Sequence, residues 1–386
     1  MRLPFEADPA RLEAICAPLT TRQRQRIDAA YQLENTISTI SISTTVADTT
    51  LQNRRFLLIR RPSGLPVAED FELVTEVVAP LSEGQFLVSN QYASLDPAIR
   101  GWMDDAPSYL PPIKLGDPVR APTIGTVIQS RHADFPVGKW ISGMNAIEDY
   151  SVCTSSAFTR LIDPDALPSV TNYLSVIGAK GLTAYFALLE IGRPRAGETV
   201  LVSGAAGAVG SLVGQIAKLK GCRTIGIAGG PGKCTRLLRD YGYDGAIDYK
   251  GKSCDELAAA IRTIAPEGVD LVFENVGGDI LDAGLLALKT KGRVVLCGLI
   301  SQYNSKPRPI NNLWQLIVMG ARIEGFILTD FVARFGEAIP ELTSWLKSGL
   351  LRVDEHIDEG IENALPAFLR LFDGSNEGKM ILKIAT

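Results

Sequence analysis

Histidine is the scarcest residue type in this 386-residue chain, with only His132 and His356. Catalytic zinc needs three Cys, His or carboxylate ligands and an open fourth position. His132 lies in the polar loop Ser130-Arg131-His132-Ala133-Asp134 and His356 near the C-terminus, and neither pairs with a cysteine at ligand spacing. No metal site is expected. The six cysteines, at 16, 153, 222, 234, 254 and 297, form no C-x-x-C pair and no disulfide framework. A reducing, cytoplasmic setting is the expectation. Net charge is only −4, which gives no electrostatic case for nucleic acid or an anionic membrane. No apolar run approaches the roughly 18 residues of a membrane span. Met1 to Leu19 carries Glu6, Asp8 and Glu13 and lacks the apolar core of a secretory signal. The Thr/Ser/Ile tract from Thr36 to Thr50 has no helical period, so residues 1–50 read as a flexible appendage.

What is present is an ordinary globular composition, 46% hydrophobic and 21% charged, long enough for two or three domains. Arg54–Ile59, Phe71–Val77, Gln85–Ser89, Pro122–Ile128 and Gly138–Gly143 read as short strands between Pro/Gly turns, an all-β region ending near residue 170. Leu174 to Glu190 reads as one helix. Strands are then expected at 199–203, 223–228, 269–273, 293–297 and 323–328, alternating with helices at 211–220, 233–241, 253–264, 279–289, 311–319 and 331–347. A helix around 361–372 and a last strand, Lys379 to Ile384, complete the chain. The alternation predicts an α/β protein with a parallel sheet covered on both faces.

The chain is organised around Ser203-Gly204-Ala205-Ala206-Gly207-Ala208-Val209-Gly210, between a β-rich run and an amphipathic helix. Strand, glycine turn and helix in that order are the context of a dinucleotide fingerprint. Gly207 and Gly210 take its second and third glycine positions, and Ala205 takes the first. Gly207 lets the backbone approach a pyrophosphate, Gly210 lets the helix pack closely, and the helix N-terminus favours phosphate. An NAD site would place an acid at the end of the second strand. Here that strand ends Ala228-Gly229-Gly230-Pro231-Gly232-Lys233, with no carboxylate and with Arg236 one turn on. Room and positive charge suit a 2′-phosphate, so NADPH is the expected cofactor.

Several further motifs carry a resemblance. They are Asn90-Gln91-Tyr92-Ala93-Ser94-Leu95-Asp96-Pro97, Gly181-Leu182-Thr183-Ala184-Tyr185-Phe186, Glu274-Asn275-Val276-Gly277-Gly278, Gly298-Leu299-Ile300-Ser301-Gln302-Tyr303-Asn304 and Glu324-Gly325-Phe326. With the glycine turn, they make residues 53–385 resemble the zinc-independent medium-chain dehydrogenase/reductases. The nearer branch holds prostaglandin reductases, alkenal double-bond reductases and curcumin reductases. The resemblance implies a GroES-like domain over 51–172, a Rossmann-type NADP-binding domain over 173–348 and a segment, 349–386, returning to the first domain. It implies a homodimer and NADPH-dependent reduction of the C=C bond of an enone or enal.

Carried over by motif, Lys233 and Tyr249 would hold the 2′-phosphate. Thr183, Ala206, Gly207, Ala208, Val209, Gly229, Asn275, Gly298 and Ser301 would line the cofactor. The Tyr303 hydroxyl is the catalytic candidate: it, or the cofactor ribose hydroxyl, would stabilise an enolate formed by hydride transfer to the substrate β-carbon, the alternative for Tyr303 being a loop tyrosine that packs on the cofactor. One position departs from the family: D-P-Y-M-R is commonly seen where this chain has Asp96-Pro97-Ala98-Ile99-Arg100, so substrate identity does not carry over. A quinone acceptor, or a cofactor-holding protein without catalysis, stands as the alternative.

Overall fold

The computed structural model describes residues 51–384; the appendage expected over 1–50 lies outside the described residues. β1 (Gln52–Leu58) and β2 (Phe71–Val77) form an antiparallel pair. The pair is tied to the body by Arg54, whose guanidinium reaches both Asp149 oxygens at 2.8 and 3.0 Å. Next come β3 (Gln85–Ser94), the short helix α1 (Ala98–Trp102), β4 (Arg120–Ser130), β5 (Trp140–Ala146), β6 (Tyr150–Thr154) and β7 (Arg160–Ile162). Antiparallel pairing of β3 with β4 and β6, and of β5 with β4 and β7, builds the first large sheet.

The second half alternates as expected. It runs α2 (Ala179–Phe186), β8 (Thr199–Val202), α3 (Gly210–Leu219), β9 (Arg223–Ala228), α4 (Pro231–Arg239), β10 (Gly245–Asp248), α5 (Cys254–Ile264), β11 (Val269–Glu274), α6 (Gly278–Leu286), β12 (Leu288–Leu296), α7 (Trp314–Val318), β13 (Arg322–Gly325) and α8 (Phe335–Lys347). The sheet is wholly parallel, in the order β10-β9-β8-β11-β12-β13. Counted from β8, that is the doubly wound order, which opens a crevice where β8 meets β11. Period-two alternation divides the core. Val200, Val202, Leu271 and Phe273 pack with α2, α3 and α8, while Leu201 and Val272 pack with α5 and α6. The tail supplies β14 (Glu355–Glu359), α9 (Ala364–Asp373) and β15 (Lys379–Lys383). β15 pairs antiparallel with β3, and β14 lies parallel to β15 in the same sheet.

Several sequence expectations are corrected. Leu174–Glu190 is not one helix: a 3-10 turn covers Val170–Tyr173, α2 follows, and Ala187–Gly192 widens into a π-helical turn. A Cβ on Gly181 would stand 1.7 Å from Val176 O, so the chain is tightly folded back where one rod was expected. The expected strand 323–328 ends at Gly325, and the expected helix 331–347 begins as a 3-10 segment, Leu328–Arg334. β10, β14 and α1 were not read from the sequence at all. Each is five residues or fewer, too short to show a period.

Candidate active site

Residues of both large sheets line one cleft of about 770 Å³ at the crevice between β8 and β11. All twelve residues named from the sequence border it: Thr183, Ala206, Gly207, Ala208, Val209, Gly229, Lys233, Tyr249, Asn275, Gly298, Ser301 and Tyr303. The glycine turn differs in one detail from its expected roles. Ala205, at the first fingerprint position, is fully buried and its N–H donates to Ile227 O at 3.0 Å. Gly204 makes the tight turn instead, with φ +56°. A Cβ on Gly210 would come within 2.4 Å of Gly204 O, so close helix packing demands glycine there. The concave face of the turn is left to backbone and small side chains.

A buried carboxylate shapes the opposite rim. Glu274, at the end of β11, has no exposed surface. Its Oε1 accepts Ser203 Oγ–H at 2.9 Å and the N–H groups of Val276 and Gly277 at 2.6 and 2.7 Å. Burial pushes this carboxyl up from its ordinary range, against those donors. Asn275 donates its amide to Ser203 O at 2.7 Å. The Ser301 hydroxyl donates to Val276 O at 2.6 Å. The three loops over the crevice are thereby fastened to one another, in addition to the packing of Val276 and Leu299 on the core beneath them.

At the far end of the cleft β9 stops at Ala228, and Gly229 follows. A Cβ there would meet the Tyr249 ring at 3.0 Å and Lys250 Cε at 3.2 Å. Lys233, Lys250 and Lys252 all border this end. Lys233 Nζ donates to Gly374 O at 2.7 Å, and burial, Lys250 and Arg236 lower its pKa. Arg236 is turned away: it binds Glu377 at 2.8 Å and does not line the cleft. The pair expected from the sequence, Lys233 with Arg236, is therefore replaced by Lys233 with Lys250 and Lys252. Clustered ammonium groups around a bare glycine end fit the 2′-phosphate of NADPH; of the nearby carboxylates, Asp373 borders the same cleft and Asp248 is taken up by the Gly230 and Lys250 N–H groups at 2.8 and 3.0 Å.

The other end is built by α1 and its surroundings. Ala98 lines the cleft; Trp102, one helical turn on, is 5% exposed and meets Tyr109 edge-on, centroids 6.2 Å apart. Arg100 fixes the helix by donating to Pro62 O at 3.1 Å and Gly64 O at 3.0 Å. Tyr303 lies over this end. Its phenol oxygen accepts the Leu299 N–H at 3.3 Å, and burial raises its pKa, so the O–H keeps its proton.

Asp96, Lys180 and Lys379 are the residues that sequence reading missed. Asp96 is 3% exposed, with Oδ1 3.0 Å from Lys180 Nζ and 3.2 Å from Lys379 Nζ. Burial alone would raise its carboxyl, but the two ammonium groups hold it down, from 3.8 to about 2. Burial lowers Lys379 to about 8 against the pull of Asp96. Asp96 stood inside a quoted motif, but nothing in its spacing signalled two lysines from segments so remote. Among the described residues no group of His, Cys, Asp and Glu could hold a metal ion. His132 packs on Phe86 and Phe135, and His356 Nε2 meets Asp358 at 3.2 Å. No helix among them is long and apolar enough to cross a membrane.

Residues 54–161 match the family described as the N-terminal domain of oxidoreductase, and 208–346 the family described as zinc-binding dehydrogenase. The NADPH-dependent curcumin reductase of Escherichia coli is 39% identical over 341 residues, 86% of this chain and 97% of that protein. Mouse prostaglandin reductase 1 is 37% identical over 86% of this chain and 99% of its own length. The crystal structure of CurA from Vibrio vulnificus in complex with NADPH superposes with a TM-score of 0.80 at 39% identity, covering 86% of this chain and 99% of CurA.

Replacing Asp96 by Asn leaves Lys379 buried without its counter-charge and is expected to cost about 3–5 kcal/mol of stability in urea unfolding. The Asp96 contribution is fully present above its unfolded pKa, about 3.8, and is lost as pH falls toward about 2. The variant's stability should therefore fall less steeply than the wild type's across that window.

Proposed function

Since the chain belongs to the zinc-independent medium-chain dehydrogenase/reductase family, we propose that it is an NADPH-dependent reductase of the C=C bond of α,β-unsaturated ketones and aldehydes. The observation that carries this reading is the composition of a single cleft. It has a side-chain-poor glycine turn, a lysine cluster at one end and a protonated tyrosine among apolar walls at the other. Lys233, Lys250, Lys252 and Tyr249 hold the 2′-phosphate. Gly207 admits the pyrophosphate to the backbone, with Ala206, Ala208 and Val209 beside it. Thr183, Gly229, Asn275, Gly298 and Ser301 wall the remainder. Bound there, NADPH supplies a hydride to the substrate β-carbon.

The chain's own part is orientation and charge. Ala98, Trp102, Tyr109 and Met144 form the apolar wall that excludes water from the substrate. The Tyr303 oxygen is already an acceptor of the Leu299 N–H, so its hydrogen is left to donate to the substrate carbonyl. That bond strengthens as negative charge moves onto the oxygen, the condition for lowering a barrier rather than only binding.

The reading extends to assembly. α7 exposes Trp314 at 67% and Ile317 at 69%, with Leu313 and Val318 beside them, next to β13 at the open edge of the parallel sheet. A second copy of this chain covers that patch in our reading, giving a homodimer.

An NADPH-oxidation screen over enones, enals and quinones, run beside NADH, tests the main reading. Enones or enals with NADPH should be fastest; turnover of quinones alone would reassign the acceptor, and preference for NADH would refute the lysine-cluster argument. Lys233→Ala should raise KM for NADPH about tenfold, the worth of one charge-assisted hydrogen bond, and leave NADH unchanged. Tyr303→Phe should lower kcat about 10²-fold, as loss of one oxyanion donor does; a loss below a few-fold would remove its hydroxyl from the chemistry. Trp314→Glu should convert the dimer to a monomer in sedimentation equilibrium.

A further inference from the structure

Among the charged side chains that border the cleft, Lys180 is one that the reading above leaves without a task. Lys180 stands in the first turn of α2, three residues before Thr183 and so on the same helical face. Its side chain is only 16% exposed, and it borders the cleft together with Cys297 and Tyr303. Asp96, at 3.0 Å, is its one ion-pair partner among the described residues.

Lys379 shares that carboxylate but is fully engaged elsewhere. It is 1% exposed and donates to Leu95 O at 2.9 Å and to Met380 O. Glu355, beside Lys379 on β14, is likewise occupied, accepting from Thr171, Asn172 and Ser175. Lys180 thus brings three N–H donors to a half-share of one carboxylate, and does so at the wall of the cleft. Tyr303, Ala98, Trp102 and Tyr109 line the same cleft as Lys180, so the ammonium borders the space assigned to the substrate. The Cys297 thiol is pushed up to about 12 by burial and stays neutral.

We propose that Lys180 is a second oxyanion donor, its ammonium held by Asp96 and directed at the substrate carbonyl oxygen alongside Tyr303. The inference rests on the enone reading and deepens it. Hydride forms the new C–H bond at the β-carbon, the C=C pair moves to the bond between the α-carbon and the carbonyl carbon, and the carbonyl π pair moves to oxygen. Water then protonates the α-carbon. Lys180 keeps its protons throughout; it supplies fixed positive charge where the oxygen becomes negative, inside a site of low dielectric. Asp96 acts through Lys180 and is a positioning residue.

The probe is 4-nitrophenol, an enolate-like oxyanion with a visible absorbance, titrated into the protein loaded with oxidised NADP. Bound to wild type it should ionise about one pH unit or more below the free phenol, the effect of a neighbouring opposite charge. Lys180→Met should abolish that shift and Lys180→Arg should keep it. Lys180→Met should also lower kcat on an enone about tenfold with KM little changed, the mark of an interaction made in the transition state. Equal ionisation in wild type and Lys180→Met, or no binding of the probe to wild type, overturns the proposal. If no enone is turned over while the probe still ionises in wild type and not in Lys180→Met, the oxyanion site stands and only the enone reading falls.

Discussion

One buried carboxylate holds the cleft together. Asp96 comes from the end of β3, Lys180 from the start of α2 and Lys379 from the start of β15. These segments lie far apart in the chain, and only folding brings them within 3.2 Å. A buried ion cannot be left without partners, so the three must come together or the site must open. The same contact joins the first sheet, the helix that leads into the parallel sheet, and the returning tail. Gly378, one residue before Lys379, bridges to Gly207 of the glycine turn, so the tail touches both the ion cluster and the turn.

A second buried acid does for the loops what Asp96 does for the sheets. Glu274 receives Ser203 and two loop N–H groups, and Asn275 and Ser301 complete the fastening. Loops at a crevice have few apolar contacts to fix them. Here hydrogen bonds add to the apolar packing of Val276 and Leu299, so the wall of the site is partly polar in construction although the space it encloses is mostly apolar. The two ends of the cleft differ in charge. Ammonium groups gather at the β9 end, and a neutral phenol and a tethered ammonium stand at the α1 end.

Much of this was legible in the chain. The parallel sheet followed from the alternation of apolar runs because period two and period 3.6 are local signals. The glycine turn was legible because its neighbours were a strand and a helix. The cofactor type followed from an absence, the missing acid after β9. What escaped was short or remote. β10 and β14 have too few residues to show alternation, and the fold-back at Gly181 depends on contact with Val176 that no helical pattern reveals. Arg236 looked equivalent to Lys233 in sequence, one turn apart on α4, yet Glu377 in the tail captures it.

The sequence by itself determined the fold class, the place of the glycine turn and the character of the cofactor, because each is written in neighbouring residues. Only the tertiary structure decided which charges face the cleft. Lys180, Lys250 and Lys252 are ordinary lysines in the chain, indistinguishable by pattern from solvated ones. Their place at the cleft comes from how distant segments pack once the protein has closed, and long-range packing and electrostatic pairing have no local signature.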